Sequence, residues 1–199
     1  MDRDQWDERY GSMELVWTAE ANRFVVEELA GLPPGRALDL GAGEGRNAIW
    51  LAEQGWQVTA VDFSPVALAK AAKLAEARGV TGVDWVEADL RTYQPGEDAY
   101  DLVLLAYIHL PPDEFRPLLA AAAAALAPGG TLLVVGHDVD NIAHGHGGPQ
   151  DPQILHRADE VVHALPGLTI RRAAQARRPV TTDEGERVAI DTVVRAQRP

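Results

Sequence analysis

The amino-acid sequence predicts an α/β protein with a doubly wound sheet of seven strands, mostly parallel, with an antiparallel C-terminal hairpin. Strand-like and helix-like stretches alternate from about residue 36 onward, which is the pattern of parallel strands joined by crossover helices. Residues 100–106 are almost wholly apolar, as expected of a strand that is buried on both faces. The last two strand-like stretches have no helix signal between them, so they are predicted to pair as a hairpin. Together these observations indicate a Rossmann-like sheet.

The elements of the first half are predicted from apolar runs and helix signals. Gly41 ends the first apolar run, and the apolar residues that follow recur at helical spacing. Ser64 before Pro65 is a favoured order of N-cap and first-turn proline, and Gly79 stops the helix that they start. Strands are therefore predicted at residues 37–40, 56–61 and 83–87, and helices at residues 46–54 and 65–78.

The second half continues this alternation until a loop rich in Gly, His and Asp, residues 137–153, interrupts it. An alanine-rich helix ends at Pro128, and a β-rich stretch follows Gly130. Strands are predicted at residues 100–106, 131–135, 168–174 and 188–196, and helices at residues 113–126 and 159–165. The chain is expected to be one domain over residues 1–199, with residues 1–35 as a helical extension.

Composition restricts the classes of function. The 199 residues fit one domain, and the absence of cysteine excludes disulfides, cysteine-ligated zinc and a catalytic thiol. A net charge of −12 argues against nucleic-acid partners. We see no secretory leader, and the longest apolar run, residues 118–127, would rise only about 15 Å as a helix. We therefore expect a cytoplasmic protein without a membrane anchor, and the excess of arginine over lysine suggests a bacterial source.

The loop after the first strand carries a strong functional signal. It reads Asp39-Leu40-Gly41-Ala42-Gly43-Glu44-Gly45-Arg46-Asn47. Its glycines let the chain turn tightly and let a ligand approach the backbone, while the next helix offers free N–H groups to an anion. The dinucleotide fingerprint places its third glycine three residues after the second. Gly45 follows Gly43 by two, so the spacing departs from that fingerprint.

An acidic residue lies at or near the end of each of the first three predicted strands. Asp39 suits a ligand with an ammonium group, such as S-adenosylmethionine (SAM), better than a pyrophosphate. Asp62 can accept hydrogen bonds from the ribose hydroxyls of either NAD or SAM. Asp89 can accept from the amine of adenine, or it can cap a helix or form an Asx turn. Three such residues at successive strand ends favour a nucleoside ligand.

Five motifs, in order, resemble the class I SAM-dependent methyltransferase family over about residues 36–136. They are Ala37-Leu38-Asp39-Leu40-Gly41-Ala42-Gly43-Glu44-Gly45, Val61-Asp62-Phe63-Ser64-Pro65, Glu87-Ala88-Asp89-Leu90, Tyr100-Asp101-Leu102-Val103 and Leu126-Ala127-Pro128-Gly129-Gly130. The segment Gly45-Arg46-Asn47 also resembles the glycine loop of tellurite-resistance-type and thiopurine-type small-molecule methyltransferases. The resemblance implies that SAM is the cofactor, that S-adenosylhomocysteine (SAH) is its product and that the methyl acceptor is a small molecule.

The resemblance also implies which residues bind the cofactor. Asp39 and the glycine loop would hold the methionine part of SAM, and Asp62 would bind the ribose. Phe63 would pack on the adenine, and Asp89 would accept from its amine with the Leu90 backbone beside it. The full set is Trp6, Tyr10, Asp39, Gly41, Ala42, Gly43, Gly45, Arg46, Asn47, Asp62, Phe63, Ser64, Asp89, Leu90, Ala106 and Tyr107.

Two further segments are expected to close this pocket. Ala106 and Tyr107 would line it near the sulfonium. Trp6, Arg9 and Tyr10 resemble a Trp-x-x-x-Tyr segment that folds over the cofactor in small-molecule enzymes; a packed helix is the alternative. Because the cofactor brings the electrophile, the protein would mainly hold the acceptor and the methyl group in line in a dry pocket.

Two histidines follow strands near the expected methyl group and are the catalytic candidates. With the reference pKa of histidine at about 6.5, His109 could take a proton near neutrality. His137 follows the fifth strand and is expected to face the same pocket. The alternative for His109 is packing against the prolines that follow it or capping a turn. His144 and His146 lie among glycines in the loop 137–153, which predicts a solvated or substrate-covering loop and no metal site.

Two other functions stay open. A NAD(P)-dependent oxidoreductase would use the same sheet, but the glycine spacing, Asp39 and the lack of a Tyr-x-x-x-Lys pair disfavour it. A non-catalytic SAM-binding protein is compatible with the sequence, because methyl transfer needs few dedicated side chains. We expect a monomer or a homodimer.

Overall fold

The computed structural model describes residues 2–13, 15–16, 18–182 and 185–199. The strands are β1 (Arg36–Leu40), β2 (Gln57–Asp62), β3 (Val83–Glu87), β4 (Tyr100–Ala106), β5 (Leu126–His137), β6 (Thr169–Thr182) and β7 (Gly185–Gln197). The helices are α1 (Arg3–Gly11), α2 (Arg23–Leu29), α3 (Arg46–Glu53), α4 (Pro65–Ala77), α5 (Pro112–Ala124), α6 (Asn141–His144) and α7 (Ala158–His163). No helix in this part of the chain is both long enough and apolar enough to cross a bilayer.

One sheet contains all seven strands in the order β3–β2–β1–β4–β5–β7–β6. The pairs from β3 to β5 are parallel, whereas β7 runs antiparallel to both β5 and β6. The predicted fold class is therefore confirmed. The chain changes direction across the sheet between β1 and β4, and ligands of such sheets bind beyond the carboxyl ends of the strands at this point.

Both faces of the sheet are covered by helices. Leu38 and Leu40 of β1 point into a cluster with Phe115 and Leu119 of α5. The other face packs against α2 and α3, where Phe24, Leu51 and Trp56 meet alternate residues of the same strands. Successive side chains of a strand point to opposite faces, so a continuous apolar strand is what a doubly covered sheet requires.

The hairpin is longer than the sequence predicted. Strands were expected at residues 168–174 and 188–196, but β6 reaches Thr182 and β7 begins at Gly185. Beyond the pair His137↔Asp191, β6 and β7 pair only with each other. The outer part of the hairpin therefore has no need for alternating apolar residues, which are the sequence signal of a strand. Pro179 lies on β6, an edge strand, where a proline is tolerated. The extension places β6 and β7 beside the carboxyl end of β5.

The segment before β1 contains α1 and α2, although residues 1, 14 and 17 lie outside the described residues. Its role as an extension over the cofactor site stays a prediction. The asparagine Asn22 caps α2 by accepting from the amides of Phe24 and Val25. The single domain over residues 1–199 stays a prediction.

Candidate functional site

The loop between β1 and α3 turns as its glycines predicted. Gly41, Gly43 and Gly45 have φ values of 76°, 54° and 78°, in the left-handed region that favours glycine. The amides of Gly41 and Ala42 donate to the carbonyl of Val61 at 2.8 and 3.0 Å, which anchors the loop to the end of β2. Gly45 has a second role, because a Cβ there would lie 2.6 Å from Cη2 of Trp85. Because Gly45 has no Cβ, the start of α3 can pack against Trp85 of β3.

Asp39 lies under this loop as a buried carboxyl group that is only partly satisfied. The side chain is 1% exposed, and its Oδ2 makes no hydrogen bond to the described residues. Burial, with a smaller effect of the charge on Asp62, raises the pKa of Asp39 to about 7, although Arg46 and the Ala48 amide act in the opposite direction. A buried polar atom without a partner needs an explanation, and a polar ligand group on the glycine loop would supply one.

The raised pKa predicts how Asp39 affects stability. Between the ordinary value and about 7 the native state binds more protons than the unfolded state. The stabilising contribution of the protonated group is therefore complete at low pH and is lost as the pH rises through about 7. Relative to Asp39→Asn, the wild type should lose up to about 1.4 kcal/mol of unfolding free energy per pH unit in this interval. Urea unfolding at several pH values tests this, with exposed Asp84→Asn as the control. Parallel curves for the wild type and Asp39→Asn would contradict it.

Asp62 ties the end of β2 to the glycine loop. Its Oδ2 accepts from the Gly43 amide at 2.8 Å, and its Oδ1 accepts from the Ser64 amide at 2.9 Å. Burial raises the pKa of Asp62 despite these bonds. A carboxylate has about four lone-pair sites, so hydroxyl groups of a ribose can still donate to it. The ribose role remains a prediction.

Asp89 follows β3 but has a partner that the sequence analysis did not foresee. The Arg91 guanidinium donates to it from Nη2 at 2.6 Å and from Nε at 3.0 Å. These bonds lower the pKa of Asp89 and outweigh the smaller opposing effect of its burial. Contact with adenine would thus require Asp89 to be shared with Arg91 or released from it. This role also remains a prediction.

The helix α1 lies across the ends of β2 and β3. Arg3 pairs with Glu87, and Asp7 accepts a hydrogen bond from the Ser64 hydroxyl. Tyr10 is buried and stacks on Trp6 with ring centroids 5.3 Å apart. Its hydroxyl would be 3.0 Å from a Cβ at Gly43, so the phenol rests on the glycine loop. The predicted segment therefore lies over the loop, while its contact with a cofactor stays a prediction.

A clamp that the sequence analysis missed holds the chain after α1. Glu44 is 3% exposed and accepts from the Val16 amide at 2.9 Å and from Lys70 Nζ at 3.1 Å. Lys70 also donates to the Met13 carbonyl at 2.6 Å. Through these bonds Glu44 of the glycine loop fastens the N-terminal segment to α4. In the sequence, the only sign of this role was a charged residue, Glu44, placed between two glycines of the loop.

Tyr107 lies at the switch point, directly after β4, in a strained conformation. Its φ of 60° is unusual for a bulky residue, and such strain clusters at functional sites. Its hydroxyl donates to Asp191 Oδ2 at 3.1 Å and accepts from Asn22 Nδ2 at 3.2 Å. Burial and the charge on Asp191 raise the pKa of Tyr107 to about 12. The backbone amide of Asn22 donates to Asn47 Oδ1 at 2.9 Å, so Asn22 links Tyr107 to the glycine loop.

Asp191, in the middle of β7 beside the end of β5, is the centre of a charged group that the sequence did not predict. The residue is fully buried, and Arg178 Nε donates to its Oδ2 at 2.8 Å. Its Oδ1 lies 3.1 Å from His137 Nδ1. The two atoms are at ion-pair distance without hydrogen-bond alignment. Burial alone would raise the pKa of Asp191, but His137 and Arg178 lower it overall.

His109 does not have the basicity expected of it. It lies in a stack between His137 and His156, at 5.4 Å from each ring. Burial, reinforced by these two histidines, lowers the pKa of His109 to about 3. Its Nε2 accepts from the His137 amide at 3.2 Å, so that lone pair is already used. The lowered pKa and the occupied lone pair both count against proton uptake by His109 near neutrality, and its catalytic role stays a prediction.

The loop 137–153 is partly ordered by Asn141, which donates to the Gly147 carbonyl at 2.8 Å and accepts from the Ile190 amide at 2.7 Å. Gly148 lies against His137, since a Cβ there would be 2.6 Å from His137 Cδ2. Within the described part of the chain, no three His, Asp or Glu side chains are grouped to hold a metal ion. Through Gly148, the loop covers the His137 ring.

Two open depressions, of about 550 and 510 Å³, lie away from the glycine loop, at the amino ends of β1–β4 and between α7 and β6. At the loop itself, a Cβ on Gly41 would overlap the Ile108 side chain, and Tyr10 rests on Gly43. The crevice at the switch point is therefore narrow. A ligand that lies on these glycines has to displace Ile108 and Tyr10.

The central part of the chain is similar to known methyltransferases. Residues 37–130 match the methyltransferase domain family. Demethylmenaquinone methyltransferase of Thermus thermophilus is 35% identical over 124 residues, which cover 61% of this chain and 54% of that protein. The chain thus spans about half the length of this curated relative.

Two solved structures extend the similarity to almost the whole chain. The 1,6-didemethyltoxoflavin-N1-methyltransferase of Burkholderia thailandensis, solved with 1,6-didemethyltoxoflavin and SAH, is 26% identical with a TM-score of 0.72 over 98% of this chain and 86% of that one. TehB of Haemophilus influenzae has a TM-score of 0.75 at 18% identity, over 99% of this chain and 67% of that one. The second similarity concerns the fold alone.

Proposed function

We propose, since residues 37–130 match the methyltransferase domain family, that the protein transfers a methyl group from SAM to a small molecule. The observation that carries this proposal is the buried, unpartnered Oδ2 of Asp39 beneath three glycines of positive φ. A ligand with a cationic amine and an extended backbone contact fits that arrangement. A dinucleotide does not explain it, because its phosphates would lie above a carboxyl group.

The glycine loop, the two aspartates beside it and α1 have distinct tasks in this proposal. Asp39 and the glycine loop would hold the methionine part, and Asp62 would hold the ribose, for which it retains free lone pairs. When bound, SAM supplies a methyl group that is open to in-line displacement at carbon. The chain positions the acceptor, keeps water out and accepts a proton where the acceptor has to lose one. The helix α1, which already lies over the loop, would exclude water.

The alternatives receive no support from the comparisons. A NAD(P)-dependent oxidoreductase would require a different glycine spacing, and the matched family is a methyltransferase domain. A non-catalytic SAM-binding protein would bind the same cofactor, so turnover separates it from an enzyme.

Calorimetric titration tests the cofactor. We expect SAM and SAH to bind with dissociation constants on the order of 1–10 μM, which corresponds to roughly 7–8 kcal/mol of binding free energy. ATP and NADH serve as controls that share the adenosine part. Stabilisation by NADH without any response to SAM or SAH would contradict the proposal. Turnover of methyl-labelled SAM with phenols, thiols, amines, selenite and tellurite then separates an enzyme from a binding protein.

We further propose a cytoplasmic, bacterial protein that acts as a monomer or homodimer without a nucleic-acid partner. The net charge of −12 supports the last point because phosphate backbones repel an acidic surface. The relatives of bacterial origin support the source.

A further inference from the structure

Four side chains from separate parts of the sheet converge at the carboxyl ends of β4 and β5, beside the middle of β6 and β7. Asp191 is fully buried among Tyr107, Arg178 and His137, and the three approach its two oxygens at 2.8–3.1 Å. The Tyr107 and His137 rings meet edge to face with centroids 5.0 Å apart. The Arg178 guanidinium lies 5.7 Å from the centre of the Tyr107 ring. The group adjoins the glycine loop through Asn22 and Asn47.

The arrangement determines which nitrogen of His137 is available as a base. Asp191 Oδ2 already accepts from Arg178 and Tyr107, so its Oδ1 is left for His137 Nδ1. A carboxylate next to one ring nitrogen favours the tautomer with the proton on that nitrogen. The lone pair of neutral His137 is then on Nε2. His109 cannot take this role, because its Nε2 is occupied by the His137 amide.

We propose that His137 is the base that removes the proton of the acceptor through Nε2, that Asp191 is its positioning residue, and that the acceptor is a planar phenol, enol or ring N–H compound. The inference rests on the proposed methyl transfer and adds the class of acceptor and the route of its proton.

The charges at the site favour an acceptor that becomes an anion. Once His137 is protonated, the cations His137 and Arg178 face the single charge of Asp191, which leaves one net positive charge opposite the acceptor. Arg46 is a further cation close to Tyr107 and Arg178, and Asp39 faces it from β1. Two further histidines, His109 and His156, are held neutral, because burial lowers their pKa values to about 3 and about 4. The carboxylate of Asp138, next to His137, already accepts from Thr192 and Gln175. An ammonium acceptor would lose its charge on deprotonation and gain nothing from these cations, whereas a phenolate would.

The flat surfaces at the site favour a ring. Tyr107 and His137 present aromatic edges and faces, and Arg178 presents a planar guanidinium that can stack on a ring. Gly148 covers the Nε2 edge of His137, since a Cβ there would be 2.8 Å from that atom. The acceptor therefore enters where the turn with Gly147 and Gly148 now lies, and both have positive φ values that only glycine adopts easily.

The step balances without any further reactant. The O–H or N–H bond of the acceptor breaks and its proton passes to His137 Nε2. The electron pair left on oxygen or nitrogen forms the new bond to the methyl carbon. The carbon–sulfur bond breaks with its pair on sulfur, which gives SAH, and His137 later releases the proton to water.

The test uses 4-nitrophenol, whose phenolate absorbs visible light, with the SAH-loaded full-length protein. Calorimetry with SAH comes first, and failure of the wild type to bind SAH would count against methyl transfer itself rather than against this inference. At a pH where the free probe is mostly protonated, we expect the bound probe to be mostly phenolate. His137→Gln and Asp191→Asn should lower the ratio of bound phenolate to phenol about tenfold or more, with SAH affinity changed less than about threefold.

Matched controls and a second measurement keep the result decisive. His163→Gln and Asp84→Asn, both at exposed positions outside the loop 137–153, should leave the ionised fraction unchanged. If Asp191→Asn fails to fold, His137→Gln alone still tests the base. Long-range ¹H–¹⁵N spectra of the wild type should show the His137 proton on Nδ1. A proton on Nε2, no binding of the probe, or equal ionisation in His137→Gln would each overturn the inference.

Discussion

Gly45→Ala is expected to lower the free energy of unfolding by about 2–5 kcal/mol, the sum of a left-handed backbone cost of about 1–2 and an overpacking cost of about 1–3. The new Cβ would lie 2.6 Å from Trp85 Cη2 and 2.8 Å from the Ala71 Cβ, neither of which is the end of a flexible chain. The φ of 78° has to be kept, because Gly45 is the N-cap residue of α3. Urea unfolding measures the change.

Gly79→Ala is the matched control for this prediction. Gly79 also has a positive φ, 66°, but no atom lies within 4 Å of its Cβ position. Its substitution should therefore show the backbone cost alone, about 1–2 kcal/mol. Equal losses for the two variants would mean that Trp85 and Ala71 move aside, and that the third glycine of the loop is needed only for its backbone.

Asp62→Ala is expected to weaken SAH binding about tenfold or more, which corresponds to about 1.5–3 kcal/mol for hydrogen bonds to a charged group. Asp62 accepts from the Gly43 and Ser64 amides, so its loss removes both the proposed ribose acceptor and a support of the glycine loop. Isothermal calorimetry with SAH measures the affinity. Thermal unfolding of the same variant shows whether the loop or the whole fold is affected.

Asp84→Ala provides the comparison, because this aspartate is exposed on β3 and makes no contact with the loop. SAH affinity should be the same in Asp84→Ala and the wild type. An unchanged affinity in Asp62→Ala would show that the nucleoside binds elsewhere and would remove the basis for assigning Asp39 and the glycine loop to the cofactor.

The parallel part of the sheet was predictable because its signals are local. β3 and β4 have the predicted bounds, and α3 and α4 each end one residue before the predicted one. Apolar runs, glycine stops and the Ser64–Pro65 start act within a few residues, and a buried parallel strand has to be apolar throughout. The hairpin was predicted too short because its outer part is stabilised by pairing between β6 and β7 and not by burial of an apolar face.

Some residues of the candidate site could likewise be brought together from the sequence, and others could not. Asp39, Asp62 and the glycines follow strands whose carboxyl ends meet at one edge, so their proximity could be read from their order. Asp191 lies far along the chain in an antiparallel strand, where no sequence rule brings it to His137. The partner of Asp89 was also hidden, although Arg91 is only two residues away, because its side-chain direction decides the contact.

The sequence by itself determined the doubly wound sheet, its switch point and the glycine loop with its aspartates. These depend on periodicity, on the conformational freedom of glycine and on short turns, which are all encoded in neighbouring residues. Only the tertiary structure decided the surroundings of the two candidate histidines. His109 is buried in a histidine stack that lowers its pKa, and the buried carboxylate of Asp191, from a distant strand, lies beside His137. Desolvation and electrostatic coupling depend on distances through space, which neighbouring residues in the sequence do not encode.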